Sequence, residues 1–204
     1  MKYSVIIPTL WRSDLTVPLV ERLSQCTRVG EIILIDNDQA RSRVQELNPS
    51  KLVPLPQAQN IWVNPAWNLG VQVSRYGALA ILNDDILFDP SPVFEMSVKA
   101  GQAIGIGLSC YDESQLGPFR IETSPEHTFG WGCAIFLRKS SWCPVPDGLK
   151  IWYGDNWIRR TARESMQIEG LQVQTKMSET SNSPEFHHMI DEEVQNWNRI
   201  EQTH

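Results

Sequence analysis

Long apolar runs are missing from the 204-residue chain. Ile32–Ile35 and Ala78–Leu82 are among its longest, far short of the roughly 20 residues that cross a bilayer as a helix. Positive charge is also in deficit, since 18 Lys and Arg against 24 Asp and Glu leave a formal net charge of −6. That balance disfavours nucleic acid as a partner or acceptor, because phosphate attraction supplies most of such affinity. Cysteine is scarce: Cys26, Cys110, Cys133 and Cys143 form no CxxC pair and no zinc-like spacing with histidine. Lys2 is followed by only Val5–Ile7 before Pro8, which lacks the apolar core of a signal peptide. The expectation is a cytoplasmic location with reduced thiols. Glycine is absent from Ile7–Asp14 (IPTLWRSD), directly after the first apolar segment. This disfavours a dinucleotide-dependent oxidoreductase and a sugar nucleotidyltransferase, both of which need a Gly-rich phosphate loop there. Gly101–Gly107 has the wrong spacing and place to substitute.

Against these gaps stands an alternating pattern. Tyr3–Pro8 reads as a buried strand, and Leu15, Leu19, Val20, Leu23 and Cys26 then share one helical face. Ser13 or Asp14 would cap that helix, with Pro18 tolerated in its first turn. Glu31–Asp36 reads as a second strand, Gln39–Asn48 as a short helix, Pro65–Arg75 as a helix and Ala78–Leu82 as a third strand. Pro49, Pro54 and Pro56 break the chain between them. Strand–helix alternation predicts an α/β fold, with a Rossmann-like, mostly parallel sheet flanked by helices and ligands at the carboxyl ends of its strands. Downstream, Ile104–Cys110, Gly130–Leu137 and Leu171–Thr175 read as strands, Asn156–Glu164 and Ile190–Ile200 as helices, and Ser178–Ser183 as a polar loop. With no repeat and no linker, residues 1–204 read as one domain. Residues 1–100 are expected to form a binding half and 101–204 a second half of similar length with a small ligand-side region.

Polar clusters fall where this model places a ligand. Pro8-Thr9 follows the first strand, and Asp36-Asn37-Asp38 follows the second. Either they hold polar edges of a ligand or they cap and turn, as Asn and Asp often do. Asn83-Asp84-Asp85 follows the third strand. Adjacent carboxylates there suit a hard divalent cation such as Mg²⁺ or Mn²⁺, or else form a solvated turn. Gly154-Asp155-Asn156-Trp157 opens a predicted helix, where Asp is commonly a cap, and His187-His188 lies in a polar tail. The eight tryptophans include Trp131, Trp152 and Trp157 around that last Asp.

In order and spacing these segments resemble an inverting, nucleotide-sugar-dependent glycosyltransferase of the GT-A fold, of the family-2, rhamnosyltransferase-like type. SVIIPTL and EIILIDN are similar to the family's strand–PT and strand–DN signatures, and NIWVNPAWNLG (Asn60–Gly70) to its N-x-G…N-x-G segment, with Trp62 in place of glycine. AILNDDILFDP is similar to the LLNNDTxxxP variant of the DxD motif, and GWGCAIFLRKSSW to the stretch before the acceptor loop. WYGDNWI falls at the ED motif, with Gly154 in place of its glutamate. The resemblance implies that Asp155 is the catalytic base and that Asp85, aided by His187 or His188, binds Mn²⁺ or Mg²⁺. It assigns Pro8, Thr9, Asp36, Asn37, Asn68, Asn83 and Asp84 to a nucleoside-diphosphate sugar, favouring a UDP-sugar. Trp131, Gly132, Trp152 and Trp157 are expected to line the site of a hydroxyl-bearing acceptor. The alternative is a non-catalytic nucleotide-sugar or glycan-binding protein on a degenerate form of the fold.

Overall fold

The computed structural model describes residues 1–47, 49–125, 128–176 and 183–203. Tyr3–Thr9 forms β1, and every one of its residues is buried. Side chains alternate across a strand, so Val5 and Ile7 enter one apolar cluster while Ile6 enters another. The first cluster is closed by Leu19, Val20 and Leu23 of α1 (Thr16–Gln25), the second by Ala66, Trp67 and Val71 of α2 (Val63–Val73). A strand of β-branched residues therefore sits between two helical layers, each fully buried Ile or Leu contributing about 1.5–3 kcal/mol.

The chain continues through β2 (Val29–Asp36), β3 (Leu52–Pro56), β4 (Ala78–Leu82), β5 (Ile86–Leu87) and α3 (Pro90–Phe94). It then forms β6 (Gln102–Ile106), β7 (Arg120–Thr123), β8 (Ala134–Arg138), α4 (Gly154–Thr161), β9 (Glu164–Glu169), β10 (Gln174–Thr175) and α5 (Ile190–Thr203). One eight-stranded sheet has the order β3-β2-β1-β4-β8-β6-β9-β7, and β5 pairs with β10 separately. β3, β2, β1 and β4 run parallel. β8 lies antiparallel between β4 and β6, and β9 is parallel to β6. From β1 the chain builds outward to β2 and β3 on one side, then returns to place β4 on the other. That reversal opens a crevice at the carboxyl ends of β1 and β4.

The boundaries of β1, α1, β2, α2, β4 and α5 lie close to those expected. Other elements differ for local reasons. β3 was expected as a proline break, but it is the outer strand of the parallel half, where missing N–H donors are tolerated. Gln39–Asn48 yields only a 3₁₀ turn at Val44–Glu46. Gly130–Leu137 splits into a 3₁₀ turn, Trp131–Cys133, followed by β8. The strand expected at Leu171–Thr175 shrinks to β10, while Glu164–Glu169, polar in sequence, pairs along all of β6 as β9. Ser13 accepts a hydrogen bond from the Leu15 amide at 3.1 Å, but α1 begins after Leu15 with no side-chain cap. Residues 178–182 of the expected polar loop lie outside the described residues. All four cysteines are free, and among the described residues no helix is long and apolar enough to cross a membrane.

Candidate active site

The carboxyl ends of β1, β2 and β4 converge. The Asn37 amide donates to the Thr9 carbonyl at 2.9 Å, and Thr9 Oγ1 donates to Asp84 Oδ2 at 2.5 Å. Thr16 Oγ1, at the start of α1, reaches the Asp84 carbonyl at 3.2 Å. Asn83 is tied across to the second half by its amide, which donates to the Cys133 carbonyl at 2.9 Å. Thr9, Asn37, Asn83 and Asp84 line one wall of a cavity of about 420 Å³, together with Pro8 and the buried Asp85. The facing wall carries Gly132, Trp152, Tyr153 and Asp155. Most of the residues expected at a donor and base site thus share one cavity.

Asp155 stands in the first turn of α4 and lines the cavity. Burial raises its carboxyl above the ordinary range, against hydrogen bonds from the backbone amides of Asn156 and Asp155 itself and the pull of Arg159. Two glycines allow the close packing around it, Gly132 against Asp155 itself and Gly154 against α2. A Cβ on Gly132 would lie 2.7 Å from Asp155 Cβ and Oδ2, and a Cβ on Gly154 would lie 2.0 Å from Asn64 Oδ1 and 2.7 Å from the Trp67 ring. The missing glutamate at Gly154 is therefore a packing requirement here, since any side chain would strike α2. Cys133, also lining the cavity, is held as a thiol. Its pKa is pushed up to about 11, mostly by burial, with the charges of Asp85 and Asp155 adding to it. A thiolate nucleophile is thereby disfavoured.

The charged residues among the described lining are Asp84, Asp85 and Asp155, with no Lys, Arg or His. A diphosphate entering such a wall meets only repulsion unless a cation accompanies it. Among the described residues no group of three His, Cys, Asp or Glu side chains is arranged to hold a metal. The donor set therefore fits Mg²⁺ or Mn²⁺ bound through one or two carboxylates and completed by phosphate oxygens and water, not a closed protein cage. His187 and His188 are exposed on the 3₁₀ segment Pro184–Met189, and neither lines the cavity; Phe186 of that segment does.

Other expected residues have structural placements. Asp36 is buried, and its Oδ1 accepts from the Trp11 indole at 2.9 Å and the Asp38 amide at 3.2 Å, behind the cavity wall. Asn68 is a cross-link: its Nδ2 donates to the Val145 carbonyl at 2.8 Å, and the Val145 amide returns a bond to Oδ1 at 2.9 Å. Trp131 is buried against Gly105, its indole donating to the Met166 carbonyl at 2.8 Å. Trp157 is buried too and donates to the Cys143 carbonyl at 3.2 Å. Of the expected acceptor tryptophans, only Trp152 reaches the cavity, where Trp62 and Trp67 join it.

One residue was not singled out by the sequence. Glu193 of α5 is 2% exposed, and its carboxylate accepts from the Ile151 amide at 3.0 and 3.1 Å and from the Trp152 amide at 2.9 Å. Burial raises its pKa against those bonds. One turn on, Trp197 stacks on Tyr153 with centroids 5.4 Å apart and planes at 5°. From the other side Asn64 donates to the carbonyls of Leu149 at 3.2 Å and Trp152 at 3.1 Å. The loop before Asp155 is thus gripped by α2 and α5. The available signal was a carboxylate in line with Trp197 on the buried face of a helix, a place where charge is rare unless satisfied.

A sheet of this order, with a polar crevice at the carboxyl ends of β1 and β4 and an acidic helix start across from it, is the GT-A fold. No family model matches the chain, and no curated protein matches it in sequence. Among solved structures it is similar to S. aureus TarS (residues 1–349) in complex with UDP, at TM-score 0.61 and 15% identity over 85% of this chain and 59% of that one. It is similar to GalNAc-T7 with UDP, GalNAc and Mn²⁺, at TM-score 0.60 and 14% identity over 91% of this chain and 45% of that one. A third is the mannosyltransferase PcManGT from Pyrobaculum calidifontis in complex with GDP-Man and Mn²⁺, at TM-score 0.58 and 12% identity over 80% and 53%. The chain spans roughly half the length of these structures, and the likeness is one of fold.

Proposed function

We propose that the chain is an inverting glycosyltransferase that moves a sugar from a nucleoside-diphosphate sugar, with a UDP-sugar favoured, to a neutral acceptor hydroxyl. The observation that carries this reading is the meeting of Thr9, Asn37, Asn83, Asp84 and Asp85 with Asp155 across one cavity. Residues 1–100 hold the donor, and residues 101–204 supply the base and acceptor wall. The bound nucleotides and Mn²⁺ in the similar structures support the donor class.

In the reaction, the acceptor oxygen attacks the anomeric carbon from the Asp155 side. Its proton passes to the Asp155 carboxylate as the carbon–oxygen bond forms. The anomeric carbon–phosphate oxygen bond breaks, and its electron pair leaves with the diphosphate. General-base help of this kind is worth about 10²–10⁴-fold, and the raised pKa of Asp155 improves its match to neutral pH. A divalent cation held by Asp85 and Asp84 would neutralise charge on the departing diphosphate. Trp152 and Tyr153, which line the cavity beside Asp155, would pack against the acceptor. Thermal melting with Mn²⁺ and a panel of UDP- and GDP-sugars tests the donor class. A matched donor at about 100 times its Kd raises stability by about 2.7 kcal/mol, and no shift with any of them counts against the reading.

A further inference from the structure

Two lining aromatics, Trp62 and Phe186, have no part in the proton transfer or the metal site. Trp62, just before α2, has φ 72° and ψ 175°, a combination essentially restricted to glycine. Tyr153, at φ 61° and ψ 4°, lies in the left-handed region that non-glycine residues visit at smaller cost. The Trp62 conformation is enforced by its neighbours. Its amide donates to Asn60 Oδ1 at 2.8 Å, and its carbonyl accepts from the Ala66 amide at 3.2 Å, opening the helix. Glycine would hold that backbone without strain, so what the tryptophan adds is its ring.

The ring is buttressed from the far end of the chain. Phe186 meets it edge to face, with centroids 5.6 Å apart and planes at 84°. The Arg12 guanidinium lies 5.3 Å from the Phe186 ring centroid and donates to Ser183 Oγ at 2.8 Å and to Glu185. Phe186 is 6% exposed, whereas Trp62 is only half-buried and remains presented to the cavity. A strained residue kept in place by an aromatic and a cationic prop is a built surface. Its indole offers an apolar face with no positive charge among the cavity's described lining.

We propose that Trp62 is a sugar-ring platform: a specificity-determining subsite that packs on the C–H face of an uncharged pyranose. This rests on the transferase reading. The ring belongs either to the donor sugar or to a neutral acceptor glycan. The test uses the full chain with Trp62→Gly, Trp62→Ala and Trp62→Phe. Calorimetric titration with Mn²⁺ compares UDP with UDP-glucose, UDP-galactose and UDP-N-acetylglucosamine, and saturation-transfer NMR measures cellobiose and lactose.

In native protein at least one sugar-bearing probe binds through its ring. Trp62→Gly weakens that probe roughly tenfold, the scale of one aromatic contact, while UDP affinity stays within about threefold of native and Trp62→Phe retains most of the binding. Loss confined to the UDP-sugars assigns the ring to the donor, and loss confined to the disaccharides assigns it to the acceptor. Trp62→Gly also melts above Trp62→Ala, the reverse of the ordinary glycine penalty. The proposal is overturned if no probe's ring contributes to native binding, if Trp62→Gly binds every probe as native does, or if Trp62→Ala melts higher. UDP failing to bind native protein counts against the transferase reading instead, and a disaccharide loss in Trp62→Gly would still stand.

Discussion

Asp155 carries two opposed consequences of burial. Its carboxyl is raised above the ordinary value of about 3.9, so the folded chain holds that proton to higher pH than the unfolded chain does. Between the ordinary and the raised value, stability falls as pH rises. Across the same window the proposed base becomes ionised and turnover rises. A kcat profile should therefore show an acid limb in native protein, displaced to higher pH than an ordinary aspartate would give, and Asp155→Asn should lose that limb. At the proposed metal position, Asp85→Asn is expected to weaken Mn²⁺-dependent UDP binding at least tenfold, read by titration with and without EDTA. Unchanged binding would place the cation elsewhere. Trp131 belongs to the core despite its neighbour Gly132 lining the cavity. Trp131→Ala should cost about 3–5 kcal/mol in denaturant unfolding, far more than exposed Phe129→Ala, at 67% exposure. Sequence spacing singled out Asp155, Asp85 and Thr9, which line one cavity, because strand ends and helix starts mark positions along the chain. Trp131, Trp157 and Asn68 lie outside the cavity's described lining, because which way a side chain faces there depends on partners 35, 14 and 77 residues away.

At the level of elements, α5 acts on the site through a loop it does not belong to. Glu193 satisfies the amides of Ile151 and Trp152, and leaving buried donors unsatisfied costs about 1–3 kcal/mol. Glu193→Gln keeps the shape but turns an N–H donor toward amides that also donate. The expected outcome is faster hydrogen exchange across residues 149–155 and a raised acceptor KM, with UDP affinity near native. Unchanged exchange in that segment would show that α5 does not hold the loop. Elements built from strong apolar periodicity, such as β1, β4 and α1, were legible in the sequence. β9 was not, because Glu164–Glu169 earns its strand from pairing with β6 and β7 more than from its own residues. β3 was hidden by Pro54 and Pro56, which an outer strand accommodates and an inner one does not.

For the whole molecule, one sheet joins the two halves of the chain, and the cavity lies where they meet: Asp84 and Asp85 follow β4, while Gly132 and Asp155 flank its antiparallel neighbour β8. The excess of acid in the composition reappears locally as three carboxylates, with no Lys, Arg or His, among the cavity's described lining, which ties the proposed chemistry to a cation and a neutral acceptor. The most direct measurement of that account is nucleoside-diphosphate release from UDP- and GDP-sugars with Mn²⁺ and neutral glycan acceptors, comparing native protein with Asp155→Asn. The account predicts acceptor-stimulated release by native protein, lowered about 10²–10⁴-fold in the variant with nucleotide affinity retained. Equal rates in the two proteins, or tight nucleotide binding by native protein with no release from any donor, would contradict it.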